Sequence, residues 1–232
     1  MKNYFLIFVL LSLPLKALAQ TSPDSVVINF YKWYFDVIES GQIEEYQPIF
    51  AADSLGMTTL NMDKYIKNLR QYNFSDSLII HEVASYQTCI KEINKIKFDE
   101  LNDKFPNLED YRNIGCDFFN IYRWIMDVEP MNGIDIIETF KINDEKVIIK
   151  GKFFRGNVES KDKVYWNKFL YVSLKKENNI WKIDQIEIKK TNEKIQTIIT
   201  LFIREKMFLG FKLYALSFKL IYFGQSFSLN VM

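Results

Sequence analysis

A single histidine and two cysteines in 232 residues leave the chain short of the ligands a structural zinc site needs. Glycine-rich phosphate loops, nucleophile elbows, paired-histidine protease motifs and acidic calcium loops are missing too, so the sequence names no reaction and implies no cofactor or metal. Charge of one sign is also lacking: 30 Lys and Arg against 29 Asp and Glu give a formal net charge of +1. Setting aside Lys2 and Lys16 near the start, and Arg204, Lys206, Lys212 and Lys219 against Glu205 near the end, the remaining body is mildly acidic. That balance argues against nucleic acid as a partner. Nor does any segment reach the ~20 consecutive apolar residues that a membrane-spanning helix requires.

What is present begins with "MKNYFLIFVLLSLPLKALAQ". Lys2 precedes an apolar run over residues 4–15, and Ala17-Leu18-Ala19 places small residues where a signal peptidase reads them. The pattern predicts a signal peptide over residues 1–19 and export to the periplasm or the outside. An exported chain meets an oxidising compartment, where Cys89 and Cys116 can be bridged; the alternative is two buried thiols. Residues 20–190 have the length and apolar content of one domain.

Along that domain the period of the apolar residues changes once. Ser22-Pro23-Asp24 is a helix start, with a hydroxyl cap, proline in the first turn and an acid at the positive end of the dipole. Val27, Phe30, Tyr31, Tyr34 and Ile38 then recur at helical spacing, predicting a helix over 23–40 that stops at Gly41. A short helical piece is expected over 44–50. Met62, Tyr65, Ile66, Leu69 and Tyr72 mark a second long helix, and Ile79, Val83, Tyr86, Ile90 and Ile93 a third. From residue 134 onward the segments 134–142, 145–155, 164–175 and 180–190 read as strands, with Asn143-Asp144 and Asn178-Asn179 at hairpin turns. Helices followed by an antiparallel meander make an α+β fold with a sheet of about four strands. In the last strand Trp181 and Ile183 alternate on one side and Ile186 and Ile188 on the other, which calls for a bulge near Asp184-Gln185.

Helices and then a bent sheet ending in "NNIWKIDQIEI" resemble the nuclear-transport-factor-2-like superfamily. "FYKWYFDVI", "FSDSLIIHEVASYQTCI" and "CDFFNIYRWIMDVEPMNGIDI" look more narrowly like a branch of exported bacterial proteins of unknown function. Where that branch tends to carry Gly-Gln-Glu before a proline, this chain has Asp127-Val128-Glu129-Pro130. The resemblance implies helices packed as a cone and closed by a curved sheet. It implies no single activity, since the superfamily holds isomerases, dehydratases, hydrolases, ligand binders and adaptors.

Asp117, Asp127 and Glu129 are the candidate acids, because they lie on the segment joining helices to sheet, where such a cone opens. A carboxylate held in an apolar cavity there would act as a general base; on a solvated turn it would do nothing of the kind. Tyr34, Tyr122, Trp124 and Trp166 are candidates to line a ligand cavity, or else are simply core. His81 falls opposite the apolar stripe of its helix and should face solvent. Three functions follow: a non-catalytic module binding a small molecule or a protein, an isomerase- or hydrolase-type enzyme, or a membrane-surface protein held by its tail. That tail, residues 191–232, is aromatic and apolar, with Glu205, Lys212 and Lys219 at heptad spacing. It reads as an amphipathic contact, as a non-native extension of AT-rich composition, or as a segment docked on the domain.

Overall fold

The structure is a computed structural model and describes residues 21–119, 121–156 and 162–190. The expected leader and the aromatic tail lie outside those residues. The compact unit that holds the fold ends at Lys189.

Helix α1, Pro23–Glu39, starts as the sequence predicts: Ser25 N–H donates to Ser22 Oγ at 3.2 Å, with Pro23 in the first turn. Val27, Phe30, Tyr31 and Tyr34 are fully buried along it, and Phe35 and Ile38 nearly so, making α1 the spine of the core. After α2, Ile43–Tyr46, the structure departs from expectation. The helical piece expected to residue 50 ends four residues early, because Pro48 disfavours helix at Gln47, which sits at φ −153° and ψ 163°. Strands β1, Ile49–Ala52, and β2, Thr58–Asn61, follow as a two-stranded antiparallel hairpin. Four-residue strands are too short for a period to show, which is why the pattern hid them.

Helix α3, Asp63–Gln71, buries Tyr65, Ile66 and Leu69 as expected. The third expected helix is two: α4, Asp76–Ser85, and α5, Gln87–Ile93, with Tyr86 between them at φ −91° and ψ −1°. Ser85 Oγ donates to the Glu82 carbonyl at 2.7 Å and Tyr86 N–H reaches back to Val83 at 3.3 Å, so side chain and tightened turn take carbonyls the helix would have used. Short helical turns, α6 at Leu101–Lys104 and α7 at Leu108–Asn113, lead to Cys116, which is disulfide-bonded to Cys89 with a Cα–Cα distance of 4.9 Å. Gly115 just before it stands at φ +77°, and a Cβ there would lie 3.3 Å from Thr88, so glycine lets the chain close against α5.

The main sheet contains β3, Gly133–Lys141; β4, Lys146–Arg155; β5, Val164–Tyr165; β6, Lys168–Glu177; and β7, Ile180–Lys190. Its order is β3-β4-β6-β7, with β5 paired to β4, so the strand expected over 164–175 is split in two. Asn178 and Asn179 take φ of 51° and 63° and close the β6–β7 hairpin as a primed turn. In β4, Val147, Ile149 and Phe153 turn to the core at every second position. The β3–β4 register slips by one between Ile136 and Glu138, a bulge that bends the sheet over α1. On β7, Trp181 and Ile183 belong to the core and Ile186 and Ile188 pack against it, on either side of the phase change read in the sequence.

The outer edge of β7 is covered at its middle. Ile183 N–H donates to Asn73 O at 2.7 Å, and Ser75 N–H to Ile183 O at 2.8 Å, so the α3–α4 link acts as a short edge strand. Asp184 bolts this seam: its Oδ1 accepts from Ser75 Oγ at 2.9 Å and Ser77 Oγ at 3.0 Å and pairs with Lys175 at 2.8 Å. Burial works to raise the Asp184 pKa, but the hydrogen bonds from Lys175, Ser75 and Ser77 outweigh it and hold it below the ordinary carboxylate value. A depressed folded-state value means the stabilisation is complete above the unfolded pKa of about 3.9 and is lost as pH falls through the lower folded value. Asp184→Asn should therefore cost about 1 kcal/mol at pH 7 and less at pH 3, read as the gap between thermal melts. An unchanged gap at the two pH values would show that the charge does not contribute.

Candidate functional site

The segment between α7 and β3 carries most of the candidate residues, and a bridged turn shapes it. Tyr122 N–H donates to Asp127 O at 2.8 Å, closing a loop in which Met126 is forced to φ 53°. Within this turn Trp124 and Ile125 point into the core, while Ile121, Met126 and Val128 stay exposed.

The candidate acids separate into two places. Asp127 and Glu129 come together in a cleft of about 290 Å³, with Met131, Arg155 from the end of β4, Val164, Tyr165 and Trp166. Asp127 Oδ1 accepts from Val128 N–H at 2.7 Å, and its Oδ2 lies 3.8 Å from Lys168 Nζ. Glu129 is ion-paired with Arg155. Lys168 Nζ lies 4.0 Å from the ring centroid of Trp166. The two acids of the cleft are thus balanced by Arg155 in its wall and by Lys168 beside it. Asp117 is elsewhere, exposed on a one-turn helix after Cys116 and lining a second, smaller pocket.

The candidate aromatics divide in the same way. Tyr34 and Trp124 are core residues: Trp124 N–H approaches Tyr34 Oη at 3.4 Å, and Trp124 packs edge-on against Phe74 with centroids 4.9 Å apart. Burial pushes the Tyr34 phenol far up, so it stays protonated. Tyr122 is half-buried beside Tyr46, and Trp166 is half-buried at the cleft. His81 is exposed on α4.

One carboxylate does face inward, and it is not among the expected ones. Glu82 on α4 is 2 % exposed. Its Oε1 accepts from Tyr65 Oη and Tyr86 Oη, both at 2.8 Å. Its Oε2 takes Arg123 Nε at 2.9 Å and Arg123 Nη2 at 2.8 Å. Burial first, and then the Glu82 charge, push both phenols up, so they remain donors. Burial opposes the Arg123 charge, but Glu82 more than offsets it and the guanidinium pKa stands above its usual value. The sequence held a signal for this acid: Glu82 lies three residues after Ile79 and four before Tyr86, within the apolar stripe of its helix. Nothing local marked Arg123 as its partner.

No family profile, curated protein or solved structure matches the chain. Among the described residues no three His, Cys, Asp or Glu side chains gather to hold a metal ion, and no helix is long and apolar enough to cross a membrane. A general base needs a free lone pair facing a reactant. Glu82 has its oxygens occupied, Asp127 is tied to its own turn and Glu129 to Arg155, while Asp117 faces solvent.

Proposed function

We propose that this is an exported, non-catalytic binding module of the nuclear-transport-factor-2-like kind, which takes a small neutral polar molecule in the Trp166 cleft. The helices-then-curved-sheet order supports the kinship, and the Cys89–Cys116 bond together with the leader-like start supports export.

The observation that carries the binding reading is the internal pairing of every charged group at the cleft. Asp127 faces Lys168 and Glu129 faces Arg155, so no net field selects a charged ligand. These groups still offer acceptors and donors at their edges, beside the apolar surfaces of Trp166, Val164 and Met131. Alternating apolar faces and hydrogen-bonding edges suit a hydroxyl-rich molecule of the saccharide class.

Thermal-shift and tryptophan-fluorescence titrations with a panel of neutral mono- and disaccharides test this. At least one member should raise the melting temperature of the wild type. Trp166→Ala should bind it at least tenfold more weakly, equivalent to about 1.4 kcal/mol. A panel without any binder, or equal affinity in Trp166→Ala, sinks the reading.

A further inference from the structure

The second pocket shares no residue with the Trp166 cleft. Ser85 and Tyr86 at the α4–α5 break form one wall, Gly115, Asp117 and Phe118 beside the disulfide another, and Ile121, Arg123 and Met126 the third, enclosing about 180 Å³. That is smaller than the roughly 300–1,000 Å³ of pockets that take drug-sized molecules, so its occupant has few heavy atoms.

Arg123 gives the pocket its polarity. A guanidinium has five N–H donors in a planar fork. Two of its nitrogens, Nε and Nη2, are engaged with Glu82 at the rear, and no other hydrogen-bond partner of Arg123 is present among the described residues. Its side chain remains 43 % exposed, while that of Glu82 is 1 % exposed. The guanidinium carbon lies 5.8 Å from the Trp124 ring centroid. Arg123 is thus oriented from behind by an acid that Tyr65 and Tyr86 hold in turn, and its outer N–H edge is left toward the pocket. Burying such a pair gains little stability over an apolar replacement. A pre-oriented fork does gain affinity for a carboxylate, which it meets with two parallel hydrogen bonds.

Two further features narrow the ligand. Asp117 lines the same pocket and has no ion pair among the described residues, so the site offers one unpaired negative group beside the remaining N–H donors of the Glu82-paired guanidinium. Ile121 and Met126 are 39 % and 55 % exposed and give the same space an apolar wall. Met126 is moreover held at φ 53°, a costly conformation for a residue with a long side chain, and such outliers gather at ligand sites.

We propose that this pocket binds a small α-amino acid with an apolar side chain, its carboxylate on Arg123, its ammonium on Asp117 and its side chain against Ile121 and Met126. The disulfide keeps the Asp117 wall in place and Glu82 keeps the Arg123 fork aimed.

Calorimetric titration of the unreduced chain with L-leucine, isoamylamine and isocaproate separates the contributions. Leucine should bind. Isoamylamine, which lacks the carboxylate, should bind at least tenfold more weakly, and isocaproate, which lacks the ammonium, should be intermediate. Asp117→Asn, at an exposed position, should weaken leucine severalfold and leave isocaproate binding equal or tighter. Arg123→Lys keeps the charge but loses the fork and should weaken both acids at least tenfold, with circular dichroism checking that the fold is kept. Leucine, methionine and phenylalanine all failing to bind at millimolar concentration would overturn the proposal, as would equal affinity for leucine and isoamylamine. Trp166→Ala should leave leucine binding unchanged, so this site and the saccharide cleft stand or fall separately.

Discussion

Arg123→Met should lower the stability of the fold by about 3–5 kcal/mol, the cost of leaving a buried charge without its partner. Glu82 is the charge left behind, 2 % exposed and still holding two tyrosine hydroxyls that cannot neutralise it. Glu82→Gln should be milder, because Arg123 is 43 % exposed on its other side and keeps water. The informative variant is the pair, Glu82→Gln with Arg123→Met. A neutral amide oxygen still accepts from Tyr65 and Tyr86, so the double variant should recover most of the loss seen in Arg123→Met alone. Urea melts of the four proteins measure this coupling. Additive losses would mean that the guanidinium stabilises through its stacking on Trp124 rather than through Glu82.

The disulfide should be worth nearly as much. Cys89 and Cys116 close a loop with a sequence separation of 27, for which the chain-entropy account gives roughly 3–4 kcal/mol. The bond also ties together a small apolar cluster of its own, containing Tyr86, Ile93, Leu101, Tyr111 and Phe118, apart from the main core on α1. A cluster that size has little hydrophobic area to hold the 98–119 segment by itself. Replacing both cysteines with alanine, or adding reductant, should therefore lower the melting temperature by roughly 6–16 °C. Protease cleavage should appear first within residues 98–119, before the β-sheet is lost. A thiol assay on the denatured, unreduced chain should detect no free thiol. A melting temperature insensitive to reductant would mean that packing alone secures this segment.

The α+β order was legible in the sequence because the two periods are local properties. The stripe from Val27 to Ile38 and the alternation in β4 each need only a few turns or pleats of chain to declare themselves. The same holds for Asn178-Asn179, whose tolerance of positive φ specifies the last hairpin whatever surrounds it. The elements that escaped were those whose shape is set by something else: the β1–β2 hairpin, too short for a period, and the break at Tyr86, made by Ser85 and the tightened turn.

The candidate site was legible only as a neighbourhood. Sequence placed Asp117, Asp127 and Glu129 on one segment, and the fold sent Asp127 and Glu129 to one cleft and Asp117 to another, because the bridged turn from Tyr122 to Asp127 lies between them. Tyr34 and Trp124 went to the core for the same reason that made them conspicuous, since large aromatic side chains remove the most apolar surface from water. By itself the sequence determined the long helical stripes, the alternation of the long strands and the last turn, all matters of neighbours a few residues apart. Only the tertiary structure decided that Glu82 meets Arg123 across 41 positions, and that Asp184 bolts β7 to Ser75 across 109. A charge announces that it needs a partner, but which partner is chosen by long-range packing that no local period encodes.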